Sequence, residues 1–468
     1  MALKKGTPDS LSLPLPVIYR FIVDLHPAPS NPRIHAQKQI RQIAESIRVF
    51  GFLIPILTDA NNQIIAGHGR WFAAQRLGLK EVPTIRIEHL TPDQVRAFSI
   101  SDNQLTVNSS WDDHLLAEQL QQLSVANLDF SVEITGFDMG EIDFRIESLN
   151  MTPAGDVDPA DETPISVGSV VSAAGDLWHL GEHRLLCGNS LELATYKRLM
   201  AGELADVVFE DPPWNVKVSG HVSGNGKIKH PEFAFASGEM SSSEFTQFLT
   251  TAFGLAARFS KDGSIHFQCM DFRHAKEVVA AGLSVYCELK NRCIWVKDRA
   301  GLGSLYRSQY EDVYVFKHGK TSHTNNVELG RHGRHRSNVW HFPSALSQRH
   351  GEEGDLLAMH PTCKPVRLVA EALLDCSNRG DIVLDGFLGS GTTLIAAQRV
   401  GRKCRAIEIS PRYVDTAIRR WQADTGQDAI HAESGETFAQ HERRSKRLAS
   451  KVSGPSKATH VRKGVRRG

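Results

Sequence analysis

Asp381-Ile382-Val383-Leu384-Asp385-Gly386-Phe387-Leu388-Gly389-Ser390-Gly391-Thr392-Thr393 decides how this chain is built. Its first five residues read as a buried strand that closes on a carboxylate. Residues 386–393 follow as a small-residue loop, and 394–400 read as the start of a helix. The glycines permit close backbone approach to a ligand at that helix N-terminus. Working outward, Lys403-Cys404-Arg405-Ala406-Ile407-Glu408 reads as a second strand. Glu408 lies about twenty residues past the glycines, the offset at which an acidic side chain meets ribose hydroxyls. Ser410-Pro411 then opens a helix at once, with Ser as N-cap and Pro at the first helical position. Strand, glycine loop, helix, strand and acid in that order predict a doubly wound, Rossmann-like α/β sheet that binds a nucleoside cofactor.

Upstream, the apolar run Ala205-Asp206-Val207-Val208-Phe209-Glu210 reads as a strand that ends in Asp211-Pro212-Pro213-Trp214. Two prolines fix φ and remove two donors, so the turn is stiff and its carbonyls stay free as acceptors. Asp211 adds another acceptor and Trp214 a flat apolar face. The set suits a planar ring that carries an amino group: the ring stacks on Trp214, and the amino hydrogens bond to Asp211 and the Pro212 carbonyl. Two fixed acceptors hold the N–H bonds out of the ring plane and aim the nitrogen lone pair at an incoming methyl group. That is positioning and preorganised electrostatics, not covalent catalysis. For the tetrapeptide alone, the plainer reading is a strand ending in a rigid turn whose Trp caps the core.

Together with His360-Pro361-Thr362-Cys363-Lys364-Pro365, the tetrapeptide and the loop from Asp385 to Thr393 resemble amino-group DNA methyltransferases that use S-adenosylmethionine. The tetrapeptide precedes the cofactor loop, which is the circularly permuted, beta-class order, and the resemblance covers residues 168–424. It implies methyl transfer to the N6 amine of an adenine flipped out of double-stranded DNA, with Asp211, Pro212, Pro213 and Trp214 as the catalytic residues. Asp385, Phe387, Gly389, Ser390, Gly391, Thr392, Glu408 and Asn189 would hold the cofactor. His360, Thr362 and Lys364 would shape its methionine end. No metal is needed, because the sulfonium already activates the methyl. Two positions depart from the family pattern: Gly188-Asn189 stands where Gly-Asp is usual, and Cys363 where Gln is usual. The first bears on the contact with the cofactor adenine. An N4-cytosine methyltransferase uses the same amine chemistry; the family leans to Ser at the position of Asp211 for cytosine, so Asp211 inclines the reading to adenine. No nuclease motif is evident beside these, so a restriction-modification role would need a restriction partner outside this chain.

The N-terminal part has another character. Residues 17–25 read as a strand, and Ile40, Ile43, Ile47 and Phe50 line one face of a helix stopped by Gly51. Residues 55–58 and 63–66 read as a hairpin, 71–77 as a helix ended by Gly78, and 82–87 as a strand. Gly67-His68-Gly69-Arg70 and Asp102-Asn103-Gln104 resemble the N-terminal domain of ParB, whose fold is shared with sulfiredoxin. The resemblance implies a smaller α+β domain with a nucleotide-phosphate site at Gly67, Gly69 and Arg70. Glycine-freed N–H groups and an Arg at a helix start do attract anions. The simpler alternative, that Arg70 packs on its own fold and the module is a DNA or protein adaptor, is preferred. A rival for the whole chain is a ParB-like DNA-binding regulator with an inactive methyltransferase domain, to which only Asn189 points.

The expected organisation is a ParB-like domain with a helical extension over 14–148, a linker over 149–167, the methyltransferase domain over 168–432 and a basic, disordered tail over 433–468. A length of 468 residues, 41% hydrophobic and 23% charged, suits two or three globular domains. The net charge of +1 hides ten Lys and Arg with no acid from Arg443 onward. Such a tail can hold phosphates without sequence preference, or simply solvate the chain. Arg331, Arg334 and Arg336 lie on a glycine-jointed loop that can follow a DNA backbone, and a solvated loop is the alternative. Residues 216–230, with Gly, Ser and Lys, read as a loop that closes on substrate. Seven cysteines without a Cys-x-x-Cys pair imply neither zinc nor a disulfide framework. No secretion signal or bilayer-length apolar run is present, so the cytoplasm is expected. Neither the recognition sequence nor the oligomeric state, a dimer included, is legible.

Overall fold

Strands covered on both faces read as near-continuous apolar runs, and Val207-Val208-Phe209 within Ala205–Glu210 is of this kind. A computed structural model of the chain describes residues 15–452 apart from 127, 150–169, 216–237, 299, 301–304, 328–335 and 344–363. The expected substrate loop, Arg331, Arg334, His360, Thr362 and the end of the tail therefore lie outside the described residues. The chain forms two compact units, Met1–Asn150 and Met151–Gly468. No helix among the described residues is long and apolar enough to cross a membrane.

The first unit holds a four-stranded sheet of β1 (Val17–Phe21), β2 (Ile56–Thr58), β3 (Ile64–Ala66) and β4 (Glu81–Arg86), in the order β1-β4-β2-β3. Ile22, Leu25, Ile56, Ile64, Trp71 and Val82 form its core. Helix α1 (Gln37–Phe50) lays Ile40 and Ala44 against Ala73 of α2 (His68–Leu77). Phe50, expected on that face, is exposed and meets the edge of Phe130 instead. Next comes α3 (Pro92–Val107), opened by a capping box between Thr91 and Gln94, which carries Asp102, Asn103 and Gln104. Helices α4 (Asp113–Val125) and α5 (Met139–Leu149) close on Leu120, Ile142 and Ile146.

The second unit is built on a ten-stranded sheet. Its strands are β5 (Leu177–Leu180), β6 (His183–Cys187), β7 (Ala205–Glu210), β8 (Ser260–Met270), β9 (Glu288–Val296), β10 (Tyr310–Lys317), β11 (Val339–His341), β12 (Ile382–Asp385), β13 (Lys403–Glu408) and β14 (Ile430–His431). They lie in the order β11-β9-β10-β8-β7-β12-β13-β6-β5-β14. The central five, β8, β7, β12, β13 and β6, run parallel. Antiparallel pairs, β9 with β10, β10 with β8, β5 with β6 and β14 with β5, extend both sides. Alternation along β7 feeds both faces: Val207 and Phe209 enter one core, Val208 the other. On the first face lie α9 (Val366–Cys376), α10 (Thr392–Arg399) and α11 (Pro411–Thr425). The other carries α6 (Leu193–Met200), α7 (Ser242–Arg258) and α8 (Ala275–Val285). The sheet is doubly wound, as the glycine loop predicts.

One expectation is corrected. The stretch from residue 433 does not begin as a disordered tail: Phe438–Val452 is a helix, α12. Phe438 is buried, and its ring and that of His441 meet Trp178 at 5.3 and 5.5 Å. One well-placed apolar anchor outweighs the charge that dominates the composition.

Candidate functional site

Parallel strands deliver their C-terminal ends to one edge of the sheet, and here three of them end in or beside acids. β7 runs through Glu210 into Asp211, β12 ends at Asp385 and β13 at Glu408. β7 and β12 are neighbours, with Val383 opposite Val207 and Leu384 opposite Val208. The tetrapeptide and the glycine loop therefore meet where β12 and β13, late in the chain, slot between β6 and β7. This is the topological switch point at which open α/β sheets bind ligands.

Asp211 has both carboxylate oxygens engaged. Oδ1 accepts from Trp214 Nε1 at 3.1 Å, and Oδ2 accepts from Lys364 Nζ at 2.6 Å. Lys364 is 4% exposed; its ammonium also pairs with Glu311 Oε2 at 3.1 Å and lies 4.8 Å from the centre of the Trp214 ring. Lys297 donates to the other Glu311 oxygen at 2.5 Å. Burial pushes the Asp211 carboxyl above its usual range even with Lys364 beside it. Burial acts on Glu311 the same way, but two lysines overcome it and hold that carboxyl low. The Lys364 ammonium, opposed by burial, is kept charged by Asp211 and Glu311.

Beneath the turn, the buried Glu210 carboxylate accepts from Gln268 Nε2 at 2.7 Å and from the Gly386 N–H at 3.2 Å. It thereby ties β7 to the glycine loop. Burial pushes this carboxyl from 4.5 to about 7, more than its hydrogen bonds offset.

The glycine loop is folded on its own acids. Asp385 accepts from the Phe387 N–H at 2.8 Å. Glu408 accepts the Gly389 N–H at 2.9 Å on one oxygen and the Ser410 N–H at 2.8 Å on the other. The neighbouring backbone N–H groups fix this carboxylate, and its remaining lone-pair capacity suits hydroxyl donors such as those of a ribose. Gly391, at φ 98°, caps α10, and a Cβ there would stand 2.9 Å from Ala417 Cβ. The left-handed backbone and the close approach of α11 both exclude a side chain. Ser390 turns to α11, where its carbonyl and hydroxyl accept from Arg420. Thr392 is buried at the helix start. Phe387 packs against Phe248, in the same apolar cluster as Trp214. Asn189 caps its own turn, accepting from the Leu191 N–H and donating to Glu192, next to Gly188, which donates to the Glu408 carbonyl.

Among the described residues, the catalytic turn, the glycine loop, Glu408 and Asn189 lie along one edge of the sheet, and Lys364 joins them at the catalytic turn. Arg336 is spent within the fold: it pairs with Asp375 at 3.1 Å and Glu371 at 3.5 Å and lies over Trp340. In the first unit Gly67, at φ 105°, caps α2, and the Arg70 guanidinium folds back to within 3.0 Å of where a Gly67 Cβ would stand. Gly69 packs instead against Ile43 and His35. Sequence reading misses Glu311, Lys297 and the Glu210–Gln268 pair. A charged residue in a strand covered on both faces is the signal that could find the two acids, because such a group must be partnered.

The chain matches the DNA methylase family over residues 205–419, the ParB N-terminal domain over 21–104 and the ParB-methyltransferase HTH domain over 114–173. The last covers α4 and α5, which the sequence gives only as helical pieces. The ParB-like nuclease domain-containing protein YnaK of Escherichia coli (strain K12) is 42% identical over 84 residues, 18% of this chain and 97% of that one. The DNA adenine methyltransferase YhdJ of the same organism is 27% identical over 257 residues, 49% of this chain and 79% of that one. The S-adenosylmethionine complex of M1.HpyAVI is 18% identical, with a TM-score of 0.38 over 50% of this chain and 97% of that one.

Proposed function

We propose, for a chain that belongs to the ParB-like family through its N-terminal unit and carries a DNA methylase domain of the N6/N4 class, that it methylates the N6 amine of adenine in double-stranded DNA. The observation that carries this reading is the Asp211 carboxylate, fixed by Trp214 and Lys364 at the end of β7 and one strand from the glycine loop. Adenine rather than cytosine is favoured by Asp at this position and by the similarity to an adenine methyltransferase.

The residues at the strand ends fit S-adenosylmethionine, whose hydroxyl and ammonium donors find acceptors in Glu408 and Asp385. When bound, this cofactor supplies a methyl group on a positively charged sulfur. The chain's own part is to receive a flipped base, stack it on Trp214, take its amine hydrogens on Asp211 and the Pro212 carbonyl, and point the lone pair outward. Arg70 Nε, buried without a hydrogen-bond partner among the described residues, and the αL cap at Gly67 support a nucleotide-phosphate contact in the first unit. Calorimetry with nucleoside triphosphates tests that contact, and no heat from any of them would leave the unit an adaptor.

The main test supplies tritium-labelled cofactor and duplex DNA, digests the product and identifies the labelled nucleoside. N6-methyl-2′-deoxyadenosine is expected. Label on N4-methyl-2′-deoxycytidine would move the reading to the cytosine enzyme, and no label would leave a DNA-binding regulator.

A further inference from the structure

Four charged groups run in line into the catalytic turn: Lys297, Glu311, Lys364 and Asp211, joined by contacts of 2.5, 3.1 and 2.6 Å. They come from four separate places, the residue after β9, the second residue of β10, the segment before α9 and the turn after β7. Lys364 and Glu311 are 4% and 8% exposed at the side chain, so neither is there for solvation. A buried ion pair gives little net stability, because desolvation cancels much of the attraction. Fixing a reacting group is a better reason to keep one.

Lys364 meets Asp211 on Oδ2 and covers the Trp214 ring, while Trp214 holds Oδ1. One ammonium thus bears on both the acceptor and the aromatic face, with Trp214 sharing the hold on the carboxylate. That ammonium is shared with Glu311, and the sharing limits how tightly it grips Asp211. We infer that Lys364 and Glu311 are positioning residues for methyl transfer: Lys364 orients the Asp211 carboxylate, and Glu311 tempers that grip so that Asp211 can still accept the amine. The inference rests on the methyltransferase reading above and assigns Lys364 to the base side of the site rather than to the cofactor's methionine end.

The charge logic gives opposite signatures for the two residues. The groups that face Asp211 are Lys364, Glu311 on β10, Cys269 on β8, and Asp385 at the end of β12, with Glu210 next in sequence. Burial raises the Asp211 carboxyl, Lys364 lowers it and Glu311 raises it. Removing the ammonium must therefore make Asp211 protonate at higher pH, and removing Glu311 must make it protonate at lower pH.

The test measures single-turnover methyl transfer by the full chain from pH 5 to 9, with cofactor affinity taken separately by calorimetry. Lys364→Gln is expected to move the acid limb up by about one unit or more. Glu311→Gln should move it down, and the double variant should fall between the two. Both single variants should lose rate at their plateau, on the order of 10² for a misplaced reacting group, with cofactor affinity unchanged. If Lys364→Gln does not fold, the downward shift in Glu311→Gln decides alone, since loss of packing would not make Asp211 easier to ionise. Limbs that stay put, or a Lys364→Gln variant that loses cofactor affinity with its limb unmoved, overturn the inference. A wild-type chain that transfers no methyl to DNA would instead defeat the methyltransferase reading itself.

Discussion

Asp211 is asked to do two things that conflict. It must stay ionised in a site whose burial favours its neutral form, and it must offer a lone pair while both oxygens already hold donors. Asp211→Ala removes the acceptor without touching Glu408 or the glycine loop. Methyl transfer should fall by about 10²–10³ with cofactor affinity retained; near-normal turnover by a folded variant would remove Asp211 from the mechanism. Glu408→Ala acts on the other ligand and should weaken cofactor binding by about 1.5–3 kcal/mol, read by calorimetry, with DNA affinity unmoved. Glu210 titrates rather than reacts. Its carboxyl is lifted from 4.5 to about 7 in the fold, so between those values the folded chain holds more protons than the unfolded one. Its contribution to stability is present in acid and is lost as pH rises through about 7. Glu210→Gln keeps a hydrogen-bonding amide beside Gln268, whose Oε1 is buried with no partner among the described residues. The variant should flatten the fall in melting temperature between pH 5 and 8, recovering on the order of 2–3 kcal/mol at pH 8; an unchanged slope would clear Glu210 of this role. Asp211 and Glu408 are legible in the sequence because each closes a short motif of fixed spacing. The partner of Asp211 is not: Lys364 stands 153 residues away, and only the sheet order brings the two together.

Elements are easier to read than partners, because helix caps and strand runs are local signals. The strand before the glycine loop, the loop itself and the αL cap at Gly391 follow from about a dozen residues. Sequence reading fails where one residue outweighs its surroundings. The helix α12 hangs on Phe438 within a charged stretch, and α3 has a capping box but no buried residue to give it an apolar period. The segment matched as a helix-turn-helix raises a separate point. From Asp112 to Leu149 it carries nine acidic residues and one cation, Arg145. That guanidinium is already paired with Asp113 at 2.6 Å and Glu141 at 3.4 Å. Phosphate contacts need cations, and each one neutralised appears in the salt dependence of binding. We therefore predict that α4 and α5 are not the duplex anchor. Arg145→Gln should cost up to about 1 kcal/mol of stability and leave the slope of log affinity against log salt unchanged. A slope flattened by about 0.9 would place Arg145 on a phosphate after all.

At the scale of the whole molecule, charge is distributed rather than summed. A net +1 conceals an acidic helical segment before Asn150 and a basic run after Glu442. The division into two units falls between Asn150 and Met151, where the sequence turns to Pro, Asp and Ala and the apolar period lapses. What each unit does for the other is not written locally, since it depends on surfaces rather than on periods. The basic run is the exception, because charge acts without a fold. Its first part belongs to α12, where Arg444 is taken by Glu436 at 3.1 Å. Residues 453–468 lie outside the described residues and carry five Lys and Arg with no acid. They contain no aromatic residue to orient a side chain on a base edge, so they can displace counterions but cannot read sequence. A chain ending at Val452 should keep α12 and its packing on Trp178, methylate the same sequence and bind every duplex more weakly. For each phosphate that the shortened chain no longer neutralises, the plot of log affinity against log salt should flatten by about 0.9. Binding of the full and shortened chains to specific and unrelated duplexes across a salt series measures this directly. A shortened chain with an unaltered slope, or with a changed methylation sequence, would show that the tail is not a sequence-blind anchor.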